Sequence, residues 1–117
     1  MAHNQIKGKR KGLSVWNVGD KEYHRLYDTV IVDFNHDSEG RTVTLNTGGW
    51  KTNHTKNCMN DFLRRFGFGV YQKDFVWYVR GREVSFSFDV DKVTFTIIDT
   101  PMGLQIGNFR EEVIRSA

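Results

Sequence analysis

One cysteine, one proline and no long apolar run are what this 117-residue sequence has least of, and each shortage excludes something. The lone thiol, Cys58, forms no intramolecular disulfide, so the fold rests on its core and a reducing compartment is the expectation. No charged-then-apolar leader opens the sequence, and no stretch approaches the roughly 18 apolar residues of a spanning helix, so no membrane partner is expected. Aromatic content of 14% with so little proline argues against disorder and for pleated, half-buried surfaces. A chain of this length fits one domain and buries roughly two-thirds of its unfolded surface.

Charge is unevenly placed. Residues 1–12 carry Lys7, Lys9, Arg10 and Lys11 with no acid, a charge of +4, whereas 13–50 sum to −3. Residues 51–82 return to +5, 83–99 to −3 and the remainder to zero. A basic arm and a basic middle between acidic stretches favour an anionic partner more than the net +3 does. Residues 1–12 read as a basic flexible arm and 13–117 as a single α+β domain.

Read in order, Leu13–Val18 alternates weakly as a short strand, and Tyr23–Phe34 contains the β-branched run Thr29–Val32. The turn NHDSEG separates it from Thr42–Asn46, making a hairpin. Asp33, Asn35, Asp37 and Glu39 have the alternation of a calcium loop. Its glycine falls two places late, however, and Thr44 stands where the bidentate glutamate belongs, so no metal is expected. Val70–Lys73 and Phe75–Arg80 read as strands around a tight turn at Lys73-Asp74. Glu83–Phe88 and Val93–Ile97 alternate cleanly about a turn at Asp89–Lys92, and Asn108–Ser116 reads as a short terminal helix capped by Asn108.

The one change of period lies at Thr47–Asn60, TGGWKTNHTKNCMN. Gly48-Gly49 ends a strand, Thr52 or Thr55 caps a helix, and Met59, Phe62, Leu63 and Phe66 fall on one apolar stripe. Lys56, Asn60 and Arg64 line the opposite face with Arg65 beside them, and Gly67 and Gly69 close the helix. The expected architecture is an antiparallel sheet of about five to six strands with one amphipathic helix, 52–66, packed on one face.

This junction resembles a family of small phage and prophage proteins whose core is TGGW-x-T-x-x-T-K-x-x-M-N followed by a hairpin ending in VWYV. The matching residues are Thr47–Trp50, Thr52, Thr55-Lys56 and Met59-Asn60, then Gly69–Gln72 and Val76–Val79, with Leu26–Val32 similar to the lead-in strand. The resemblance covers about residues 23–80. It implies viral origin and an accessory gene, and it brings no catalytic residues; with the reducing compartment expected from the lone cysteine, the host cytoplasm is the expected location.

Three functions follow from the residues. Trp50, Lys51, Thr52, Thr55, Lys56, Asn60, Arg64 and Arg65, with the arm's Lys7, Lys9, Arg10 and Lys11, are the candidate anion or nucleic-acid surface. Bases there alternate with aromatics, as they do again at Tyr71, Lys73, Tyr78, Arg80 and Arg82. The plainer reading of the junction has the glycines turning, the threonines capping and Trp50 filling the core. An inhibitor of a host or defence protein, using the same basic surface or the 83–98 hairpin edge, is the alternative. A sink for a phosphorylated nucleotide at the helix start is the third; the P-loop spacing is absent. No enzyme and no cofactor are expected: His3, His24, His36 and His54 are scattered, and His54 with Cys58 at i, i+4 lacks an orienting third group.

Overall fold

The computed structural model describes residues 5–7 and 10–112, for 5–7 the backbone only. Two antiparallel sheets and one helix make up the fold. The larger sheet opens as a meander of β1 (Gln5–Lys7), β2 (Leu13–Val18), β3 (Lys21–Leu26), β4 (Thr29–Asp37) and β5 (Gly40–Asn46). After an excursion it resumes with β9 (Lys92–Thr100) beside β5 and β10 (Gly103–Glu112) at the far edge. The excursion contains α1 (Asn53–Leu63), one 3-10 turn (Arg64–Phe66) and a second sheet of β6 (Gly69–Lys73), β7 (Val76–Arg80) and β8 (Ser85–Phe88). The antiparallel α+β expectation therefore holds, with the strands divided between two sheets.

Alternation sets the core. Val32 pairs with Leu45, Phe34 with Val43, and Val43 in turn with Phe95, so one face of β4, β5 and β9 is apolar and buried. Between β3 and β4 the register slips: His24 pairs with Val32 but Arg25 with Val30. Ile31 is left opposite no partner and turns inward beside Val32, both being buried. The helix lays Met59, Phe62 and Leu63, all fully buried, on this face, with the Phe62 ring 5.3 Å from Phe34 and 5.2 Å from His24. Its other flank is fixed to the smaller sheet by Asn60, whose side chain accepts from Val70 N–H at 2.6 Å and donates to Val70 C=O at 3.0 Å. One amide thus serves as the missing neighbour of an edge strand.

The neck of the excursion is closed at Thr47 and Asp91. Thr47 N–H donates to the Asp91 carbonyl at 2.8 Å, and its hydroxyl donates to the Asp91 carboxylate at 2.6 Å. That hydroxyl also accepts from Gly49 N–H at 3.2 Å, shaping the glycine turn.

Three expectations are corrected. Tyr23–Phe34 is two strands, because Tyr27, at φ 54°, turns the chain where no glycine or proline announces it. Glu83–Phe88 and Val93–Ile97 do not form a hairpin; β8 pairs with β7, and β9 with β5 and β10. Asn108 begins no helix: β9 is available as a partner, so the segment continues as strand through Glu112 with a bulge at Asn108, φ 52°. Phe109 nonetheless packs inward, stacked on Phe86 at 4.7 Å. The rest of that expected helix, 113–116, lies outside the described residues.

Candidate nucleic-acid interface

The residues singled out around α1 do not form one surface. Trp50 is 67% exposed, so it fills no core. Thr52 caps α1, its hydroxyl accepting from Thr55 N–H at 3.2 Å, while Thr55 is buried with its own hydroxyl 3.2 Å from that of Thr52. The two lysines diverge: the Lys51 ammonium donates to the Asp89 carbonyl, whereas Lys56 reaches Gln72 Oε1 at 3.2 Å and lies 5.4 Å from the Trp77 ring centre. They do not converge on the helix start, and Asn60 is committed to Val70.

Much of the positive charge on the helix is paired. Arg65 makes a bidentate contact with Glu22, both bonds 2.9 Å, and lies over Phe62 and Phe66. Burial alone would push the Glu22 carboxyl up; hydrogen bonds from His24 and Arg65 outweigh it and bring the pKa down to about 2. Arg10 of the basic arm grips Asp61 at 2.7 and 3.1 Å. The Lys11 carbonyl accepts from His54 Nε2 at 2.8 Å, while Lys9 and the Lys7 side chain lie outside the described residues. Arg64 is different: 3.8 Å from Asp61, it keeps 74% of its side chain exposed.

Arg64 instead borders the outer face of the smaller sheet. Strand alternation turns Val70, Trp77, Val79 and Phe88 into the core and leaves Tyr71, Lys73, Val76, Tyr78, Arg80, Ser85 and Ser87 on the other side. Tyr71 and Tyr78 are cross-strand partners whose rings stack at 4.9 Å and 10°. A recess of about 260 Å³ separates Arg64 from Arg80 above the 67–69 backbone. Gly69 keeps it open, since a Cβ there would stand 3.3 Å from the Arg80 guanidinium. Lys73 and Arg80 form no ion pair among the described residues, and no acid belongs to this face of the three strands.

At the tip of the β6–β7 hairpin, Asp74 and Phe75 are both left-handed, φ 51° and 69°, as a two-residue type I′ connection requires. Phe75 occupies the place where glycine is cheapest, and it is 94% exposed. In sequence Tyr71, Lys73, Tyr78 and Arg80 continue the basic and aromatic pattern of the junction; only the pairing of β6 with β7 makes them a face of their own.

Among the described residues near α1, no nucleophile lies beside a base. Cys58 is fully buried, which pushes its thiol pKa up, and His54 is bonded to the Lys11 carbonyl. Among the described residues no group of three His, Cys, Asp or Glu side chains could hold a metal ion, and no helix is long and apolar enough to cross a membrane.

Comparison with curated proteins and with solved structures returns no match. A family model, that of the Kyanoviridae Gp96 protein, matches residues 13–96. The match runs from β2 into β9 and takes in α1 and the whole smaller sheet. Well over half of the chain being covered, the protein belongs to the Kyanoviridae Gp96 family of phage proteins.

Proposed function

We propose that this phage protein is a non-catalytic accessory module that binds single-stranded nucleic acid in the host cytoplasm, using the outer face of the smaller sheet. The observation that carries this reading is the stacked Tyr71–Tyr78 pair set beside Lys73 and Arg80, with no acid on that face of the three strands, and bordered by the exposed Arg64. Aromatic side chains stack on unpaired bases, and both tyrosines, half-buried, keep part of their surface in water; guanidinium and ammonium groups hold the phosphates on either side. Phe75 and the 39% exposed Val76 extend the aromatic and apolar strip to the hairpin tip. Relative to the junction surface expected from sequence, the interface moves to the C-terminal end of α1 and keeps Arg64. Lys56 is a poor site for a test, because its change would uncover Trp77.

One observation favours a second reading, an inhibitor of a host or defence protein: Phe75 at 94% exposure suits insertion into a protein pocket. A pull-down of tagged protein from host lysate, divided into nuclease-treated and untreated halves, separates the two. Recovery of nucleic acid, with associated proteins lost on nuclease treatment, is the expected result. A single host protein that survives nuclease and is lost with Phe75→Ala would overturn the nucleic-acid reading in favour of the inhibitor.

A further inference from the structure

We infer that the cleft between Tyr27 and Trp50, at the opposite end of α1 from the basic face, is a binding site for a planar heterocyclic base carried without phosphate. The cleft measures about 340 Å³, near the lower end for small-ligand sites and ample for a nucleoside. Its floor is buried and mostly apolar, made by Leu26, the bulged Ile31, Thr47 and Thr55. Tyr27 and Trp50, large rings left 57% and 67% exposed, line it together with His54 of α1.

Burial in the core does not account for Tyr27, whose N–H donates to the Gly12 carbonyl at 2.9 Å. The pairing of Leu26 with Thr29 makes Tyr27-Asp28 a two-residue turn, and Tyr27 takes its first place at φ 54°, a conformation that glycine adopts more cheaply. A bulky residue there is strained, and this one leaves more than half its surface in water. The chain also makes room for it. A Cβ on Gly12 would come within 2.4 Å of the Tyr27 ring, so only glycine there lets the ring lie where it does. His54, tied through Nε2 to the Lys11 carbonyl, keeps its ring 6.4 Å from Tyr27. Aromatic rings lining a largely apolar cleft favour a flat, polarisable occupant.

The polar lining narrows the class. Asp28 and the hydroxyl-bearing Thr29 and Thr52 line the cleft, while Lys51 is held at Asp89 and contributes nothing to its lining. A carboxylate accepts from the exocyclic amine of adenine or cytosine and repels a phosphate. The site therefore replaces the phosphorylated-nucleotide sink suggested by the glycine turn with one for the unphosphorylated base. It stands independently of the small-sheet interface.

The test is amide chemical-shift mapping of the ¹⁵N-labelled full chain titrated with adenosine, cytidine, uridine, adenosine monophosphate and ribose 5-phosphate. Saturable shifts at Gly48, Gly49, Trp50 and His54 are expected with adenosine and cytidine. Binding should be at least about threefold weaker for uridine and for the monophosphate, and absent for ribose 5-phosphate. Trp50→Ala, at an exposed position, should weaken adenosine binding about tenfold or more with the spectrum otherwise unchanged. Absence of shifts to 10 mM nucleoside, a monophosphate that binds as well as the nucleoside, or shifts confined to the Tyr71–Tyr78 face would each overturn the inference. The last result would leave the small-sheet reading standing.

Discussion

Replacing Phe75 by glycine separates the cost of the hairpin tip to folding from its use in binding. Phe75 is held at φ 69° and is 94% exposed, so the native contacts it would lose are few. A non-glycine residue in the left-handed region costs roughly 1–3 kcal/mol. Glycine removes that cost and completes Asp-Gly, a favoured type I′ pair. Its greater freedom in the unfolded chain returns roughly 0.5–1 kcal/mol. The net expectation is that Phe75→Gly stabilises the fold by about 1 kcal/mol, a rise in Tm of roughly 4 °C for a chain of this size. Urea denaturation with unchanged m-value measures the first and calorimetry the second. If Phe75 stacks on a base, the same change weakens single-strand binding by roughly 1–3 kcal/mol, about 5- to 150-fold. A variant that is less stable than the parent would refute the strain argument. One that is more stable and binds equally well would remove Phe75 from the interface.

Two further expectations concern what fastens the helix. Glu22, depressed to about 2, contributes stability that is complete above the ordinary glutamate range and is lost as pH falls from about 4.5 towards 2. The gap is worth roughly 2–3 kcal/mol after allowing for screening at the half-exposed Arg65. Glu22→Gln should therefore be less stable than the parent by about that amount at pH 7 and within about 0.5 kcal/mol of it at pH 2; a difference as large at pH 2 as at pH 7 would contradict the linkage. Asn60→Ala leaves both polar groups of the Val70 backbone without their partner, and a loss of about 2–3 kcal/mol in chemical denaturation is expected. A loss below about 0.5 kcal/mol would mean that Asn60 does not fasten α1 to β6.

The parts of this fold that sequence reveals are those decided by local period. Met59, Phe62 and Leu63 repeat at helical spacing and are all fully buried, and Val43 and Leu45 alternate as a half-buried strand must. What stays hidden is decided by partners. Alternation at Glu83–Phe88 and Val93–Ile97 is the same whichever strand lies alongside, so strands of two different sheets look in sequence like one hairpin. Turns made by tyrosine and phenylalanine, at Tyr27 and Phe75, carry no glycine or proline signal. The second matters for the site. A turn centred on Lys73-Asp74 would set Tyr71 opposite Val76, whereas the observed turn one residue later stacks it on Tyr78. Charge was legible but its pairing was not, since Arg10 and Arg65 find their acids 51 and 43 residues away.

The central claim is most directly tested by fluorescence anisotropy of a labelled single-stranded oligonucleotide against the parent and the Lys73→Glu, Arg80→Glu double variant, over a series of salt concentrations. Three phosphate contacts, through Arg64, Lys73 and Arg80, predict a log–log salt slope of about −2 for the parent, and reversal of two of them should cut affinity at least about tenfold and flatten the slope. Circular dichroism should show the same fold in both proteins. A double variant with the parent's fold, affinity and salt slope would contradict the account.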